Sequence, residues 1–164
     1  MSADIVDKLN KYDKLILRRN IRSEPFVVKN KKIRFVVIPT SKEMLMKNKI
    51  LEMEKNFFLH QYMSDKTWLD KVLHPAFKEC GKSGYLSDKQ ETIEALLTYT
   101  KDRDIVIYNY EYTEMSTNTF LIHYITKSDN TLIYRTSIWI NENHLMLLFH
   151  QASTLNTAIE LIEA

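Results

Sequence analysis

The sequence predicts an α+β fold, in which helices cover one face of a curved antiparallel sheet, on three observations. Helical periodicity of apolar residues runs through 40–97, broken by a single glycine-containing turn. Four strand-like runs then follow one another: DIVIYNYEYTEM, TFLIHYITK, TLIYRTSIWI and HLMLLFHQAS. The joints between them, at Met115–Asn118, Ser128–Asn130 and Asn141–Asn143, are short, as antiparallel neighbours require. Amphipathic helices beside such a meander bury their apolar stripe on the sheet. A sheet wrapped on one long helix leaves a conical hollow.

Each element has its own signal. Residues 4–18 place Ile5, Leu9, Tyr12 and Ile16 at helical spacing, and 26–37 reads as a hairpin around a charged KNKK turn that Pro39 ends. This basic extension, 1–39, precedes a second domain, 40–164. Thr40 stands three residues before Glu43, as in a capping box, and starts a helix reaching about Tyr62. Its face carries Met46, Ile50, Met53 and Phe57. A short helix from Ser64 turns Trp68, Leu69, Val72 and Leu73 inward, and Pro75 stops it. The segment FKECGKSGYLS contains both glycines of the chain, Gly81 and Gly84, and reads as a tight hairpin. Its GKS is no phosphate loop, because Ala76 stands where that motif needs glycine. Ser87, with Gln90 three residues on, caps a helix whose apolar face is Ile93, Leu96 and Leu97. Residues 155–164 add a terminal helix.

With 164 residues, 45% hydrophobic and 27% charged, the chain has the composition of a globular protein with a core of its own. Its one cysteine, Cys80, forms no intramolecular disulfide, which fits a reducing compartment. The N-terminus lacks an apolar core of signal-peptide type, and no run approaches the ~18 apolar residues that span a bilayer. The expected location is the cytoplasm, with no membrane partner. The net charge of +2 hides an asymmetry: residues 1–35 carry ten Lys/Arg against four acids. Such an arm can touch nucleic acid or an anionic surface, or serve as a solvated, dimer-bridging segment. It lacks the interleaved aromatics of RNA-binding segments, so nucleic acid is not an expected partner. The five histidines have no His or Cys neighbour at ligand spacing, so neither metal nor cofactor is expected.

Strand alternation assigns faces. Arg135, Ser137 and Trp139 share one with Ile133, His150 lies with Met146 and Leu148, and Tyr108, Tyr110 and Tyr112 lie with Val106. Phe120, Ile122 and Tyr124 alternate with Leu121, His123 and Ile125. One sheet face meets the helices, and the other suits a second copy of the chain. An inward arginine is costly unless paired. Glu79, the one acid near it in a strand pattern, is expected to pair with Arg135 or bond to His150, lining a hollow with Trp139. That constellation has three readings: a polar network fixing strand register, a pocket for a small hydrophobic ligand, or catalysis by His150 or Glu79. Cys80 acts as a nucleophile only with His150 in reach, and is otherwise a small core residue.

Three stretches in order carry a family resemblance: Phe77, Glu79, Gly81, Ser83 and Gly84; Arg135, Ser137 and Trp139; and His150-Gln151-Ala152-Ser153. Residues 41–154 thereby resemble the nuclear transport factor 2-like superfamily. They look most like the branch called domain of unknown function 4440, related to the SnoaL-like polyketide cyclases. In the last motif Ala152 replaces a glycine. The resemblance implies a cone-shaped, cystatin-like α+β domain, homodimeric through its sheet, with a pocket between helices and sheet. Its members include isomerases, dehydratases, cyclases and non-catalytic binding or association domains. The Asp general base of the ketosteroid isomerases has no counterpart here. The resulting expectation is a small-ligand-binding or accessory domain. The alternatives are an acid/base enzyme on a hydrophobic carbonyl compound, in which His150 or Glu79 moves a proton and Arg135 stabilises negative charge, and an interaction module using the basic arm.

Overall fold

The structure, a computed structural model, describes residues 41–128 and 130–164. The helix expected over 4–18, the hairpin over 26–37 and the Thr40 cap lie outside the described residues. The chain divides into two compact units, Met1–Met46 and Lys47–Ala164. The described part of the first is the opening of helix α1, and the remaining description concerns the second.

Helix α1 (Ser41–Asn56) places Glu43 in its first turn and Lys55 in its last, matching the helix dipole. Its buried line runs in steps of four through Ile50 and Glu54 to Phe58 just beyond its end, at 0%, 2% and 4% exposure. Met53 and Phe57, from the expected apolar face, are only half-buried. A turn leads to α2 (His60–Met63) and then α3 (Lys66–Val72). The Asp65 carboxylate caps α3, accepting from the Trp68 amide at 3.0 Å. Leu69, Val72 and Leu73 are buried as expected.

Strand β1 (Leu73–Cys80) begins at once, so α3 ends before Pro75, which is an exposed strand residue. Pro75 has no N–H to give the ladder, and the β1–β6 register shifts between Leu73 and Lys78. β1 turns into β2 (Leu86–Asp88) through the expected glycine hairpin, where Gly84 has φ +79°. Helix α4 (Lys89–Leu96) is capped one residue later than expected: Asp88 and Glu91 form the capping box, while Ser87 bonds Thr92 at 3.0 Å.

The meander is β3 (Ile107–Ser116), β4 (Thr119–Ser128), β5 (Thr131–Asn141) and β6 (Leu145–Leu155). The six strands make one curved, unclosed sheet in the order β2-β1-β6-β5-β4-β3. The sheet is mixed, because β1 runs parallel to β6 while every other pair is antiparallel. Only the hairpin joints force antiparallel pairing, and β1 reaches β6 through the whole domain.

Two bulges overturn part of the face assignment. Trp139 stands opposite Leu147 and Ile138 opposite Phe149, so Leu148 is an extra residue. His150, opposite Ser137, therefore shares the inner face with Leu147. In β3, Tyr108 opposes Ile125 and Glu111 opposes His123, with Asn109 at φ 51°. Tyr110 and Tyr112 thus face inward, the Tyr110 hydroxyl donating to the Lys47 carbonyl at 3.1 Å, while Tyr108 lies on the other side. The terminal helix over 155–164 is also corrected: the segment is extended along the free edge of β3. The Asn109 amide donates to the Ile162 carbonyl at 2.8 Å, and its side chain bonds Glu160 and Ile162 at 3.0 Å each. An edge strand with unmet donors and acceptors outweighs helical propensity.

Candidate functional site

Glu54 is the centre of the polar interior. From α1 it meets the inner face of β4 and β5, where Phe120, Ile122 and Tyr124 pair in register with Trp139, Ser137 and Arg135. Its Oε2 accepts from the Tyr124 hydroxyl at 2.8 Å and its Oε1 from the Trp139 indole N–H at 2.7 Å. The Ser137 hydroxyl bonds the same carboxyl. Burial lifts the Glu54 pKa above the usual carboxylate range, against the pull of these three bonds and of Arg135.

The bonds continue into β6 and return to β5. Ser137 Oγ lies 2.9 Å from His150 Nδ1, and His150 Nε2 lies 3.2 Å from a terminal nitrogen of Arg135. Arg135 Nε donates to Thr126 Oγ1 at 3.0 Å. A guanidinium only donates, so Nε2 accepts and Nδ1 carries the proton. Nδ1–H then donates to Ser137, whose own proton points at Glu54. Arg135, His150, Ser137 and Glu54 thus form one directional chain. Burial first, then the charges of Arg135 and Arg103, lower the His150 pKa to about 3. The ring is neutral with both nitrogens engaged, and is unsuited to general-base work.

Beside this chain lies a chamber of about 50 Å³ whose polar wall includes Glu79, Arg103, Tyr124, Arg135 and His150. Arg103 comes from the connection between α4 and β3, anchored by its amide on the Phe58 carbonyl at 2.7 Å. Its guanidinium lies over the rings of Tyr99 and Phe58, at 5.1 and 5.3 Å, and Arg135 lies over the same Phe58 ring at 5.7 Å. Among the described residues, neither the Arg103 guanidinium nor the Glu79 carboxyl has a hydrogen-bond or ion-pair partner. Burial lowers the Arg103 pKa and raises that of Glu79, while Arg135 and Arg103 pull Glu79 the other way. A second, more open hollow of about 300 Å³ adjoins the first, with Phe58 and Arg103 in both walls.

The structure brings three of the four sequence-predicted residues, Glu79, Arg135 and His150, to one chamber. Trp139 is wholly buried behind it, on Glu54. The expected Glu79–Arg135 pair and Glu79–His150 bond do not form. The sheet order keeps Glu79 from Arg135, because β6 lies between β1 and β5, and His150, the register partner of Glu79, has both ring nitrogens engaged by Ser137 and Arg135. Cys80 is half-buried and pairs in register with Gln151, with no bond to His150. Among the described residues no group of three His, Cys, Asp or Glu side chains could hold a metal ion.

No family model and no curated relative matches the chain. Solved structures do match. A protein of the domain of unknown function 3225 family from Pectobacterium atrosepticum aligns over 73% of this chain and 98% of its own, with a TM-score of 0.57 at 12% identity. A candidate ketosteroid isomerase from Parabacteroides distasonis aligns over 71% and 93%, with a TM-score of 0.54 at 10% identity. An NTF2-like protein from Cytophaga hutchinsonii aligns over 72% and 100%, with a TM-score of 0.53 at 14% identity. The chain has the nuclear transport factor 2-like fold. In this domain two important residues escaped the sequence reading. Glu54 looks like one more charge in LEMEKN, and its only signal is its place four residues after Ile50 on the buried line. Arg103, between Asp102 and Asp104, reads as a solvated loop residue.

Proposed function

We propose that this nuclear transport factor 2-like domain binds a small ligand in the chamber between α1 and the sheet, through Glu79, Arg103, Arg135 and His150. One observation carries the reading: a guanidinium and a carboxyl, both partly withdrawn from water, face the chamber with no hydrogen-bond or ion-pair partner among the described residues. A polar network serving strand register alone satisfies its members, as the Glu54 chain does, and leaves no such groups over. An NMR fragment screen observed at Arg135 Nε–H and the Trp139 indole N–H tests it. Fragments that shift the Arg135 resonance, with the shift lost on competition between them, are the expected result. A screen in which neither resonance moves contradicts the reading.

A second reading has one observation in its favour. Glu79 is a chamber carboxyl whose pKa burial raises, so it suits proton transfer next to Arg135 better than His150 does. Turnover of a carbonyl substrate that Glu79→Gln abolishes, with ligand affinity retained, would establish an acid/base enzyme. We also propose that the domain pairs with a second copy through its outer sheet face, where Tyr134 is 37% exposed. A sedimenting mass of twice 19.5 kDa is expected, and 19.5 kDa contradicts the pairing.

A further inference from the structure

We infer that the ligand is a monocarboxylate with an apolar body, its head held between Arg103 and Arg135 and its body lying along the apolar wall of the adjoining 300 Å³ hollow. The inference rests on the ligand-binding reading and adds the ligand's chemistry. Two guanidiniums approach one Phe58 ring. The bonds of Arg135 go to neutral groups, Thr126 and His150, and Arg103 has none among the described residues. Two like charges with no anion in contact among the described residues are the arrangement a carboxylate completes, since a guanidinium presents paired donors to its two oxygens.

Charge count favours a single negative charge. Glu79 already opposes the two arginines from the chamber wall, and Glu54 is occupied by Tyr124, Trp139 and Ser137. Both carboxyls already face the two guanidiniums, so a second negative charge on the ligand would meet only repulsion, and a single carboxylate is the most the chamber takes.

Size divides the ligand in two. The chamber, at about 50 Å³, has room for a head group only. The hollow, at about 300 Å³, is at the lower end of small-molecule sites. Leu59, Ile105, Val106 and Ile107 give it one apolar wall, and Glu52, Lys55, Asn56 and Glu163 line the remainder beside Phe58 and Arg103. Phe58 and Arg103 stand in the walls of both spaces, so one molecule occupies both when the Arg103 side chain turns aside. Among the described residues, that turn breaks ring stacking and no side-chain hydrogen bond.

Calorimetric titration of the full chain with butanoate, hexanoate, octanoate and hexan-1-ol tests this. The alkanoates should bind, with affinity rising about fourfold per added methylene, and hexan-1-ol should bind at least tenfold more weakly than hexanoate. Arg103→Met should weaken hexanoate at least tenfold, and Glu79→Gln, which removes an opposing charge, should tighten it. Val106→Trp, at an exposed position, should weaken octanoate and spare butanoate. Circular dichroism verifies that each variant is folded. Hexan-1-ol binding as tightly as hexanoate, or indifference of hexanoate to Arg103→Met, overturns the carboxylate and leaves the ligand-binding reading standing. No binding by the alkanoates, the alcohol or the screened fragments overturns both.

Discussion

Glu54 accepts three bonds from groups that cannot reach water, so its replacements should differ sharply. Glu54→Ala strands the Tyr124, Trp139 and Ser137 donors and should cost about 3–5 kcal/mol. Glu54→Gln keeps the shape but turns an N–H₂ toward a donor, for about 1–3 kcal/mol. Tyr124→Phe removes one bond and leaves Glu54 its other two, for about 1 kcal/mol. Urea unfolding should return that order, and equal costs for Glu54→Ala and Tyr124→Phe would place the carboxyl in water. His150 supplies a pH test. Its folded pKa is about 3 against 6.5 in the unfolded chain, so the unfolded state takes up the proton first as pH falls. Stability from the neutral ring is complete above pH 6.5 and is lost toward pH 3, by about 1.4 kcal/mol per pH unit. The stability margin of the native chain over His150→Gln should narrow with that slope between pH 6 and pH 4. A constant margin means that the imidazole titrates normally. The inward turn of Arg135, Ser137 and Trp139 was legible in strand alternation, but Glu54, the acceptor of the last two, was not. Glu79 looked embedded in a strand, whereas Glu54 needed the exact rotation of α1.

At the scale of elements, the glycine hairpin separates backbone strain from packing. A Cβ on Gly84 would meet nothing within 4 Å, yet its φ is +79°. Gly84→Ala should therefore cost about 1–2 kcal/mol through the backbone alone. At Gly81 the nearest atom is 3.8 Å away and no positive φ is imposed, so Gly81→Ala should change stability by less than about 0.5 kcal/mol. Thermal unfolding distinguishes the two, and equal effects would remove the left-handed turn. Periodicity and turn residues located α1, α3, the glycine hairpin, α4 and all four meander strands. What they missed depends on one-residue shifts. The extra residues at Leu148 and near Asn109 leave no trace in an alternating apolar pattern, and each reverses the faces beyond it. SDKQE contains both Ser87…Gln90 and Asp88…Glu91, and only the end of β2 selects the second. The parallel β1–β6 pair joins strands far apart in the chain, and local signals do not see such pairs.

For the whole molecule, the decisive distinction is between charge that holds the fold and charge that waits for a ligand. The Glu54 chain belongs to the first kind, since every member has a partner and removing one leaves others stranded. Arg103 and Glu79 belong to the second, since each is partly desolvated and, among the described residues, neither side chain has a hydrogen bond or ion pair to lose. A partly buried, unpaired charge detracts from stability, so replacing it with a neutral side chain of similar shape should leave the fold as stable or more stable. The most direct measurement is the thermal midpoint of Arg103→Met and Glu79→Gln in the absence of any ligand. The predicted result is a Tm equal to or above that of the native chain for both variants. A fall of more than about 4 °C in either, worth roughly 1 kcal/mol in a chain of this size, would show that these charges hold the fold together and would contradict the assignment of the chamber to a ligand.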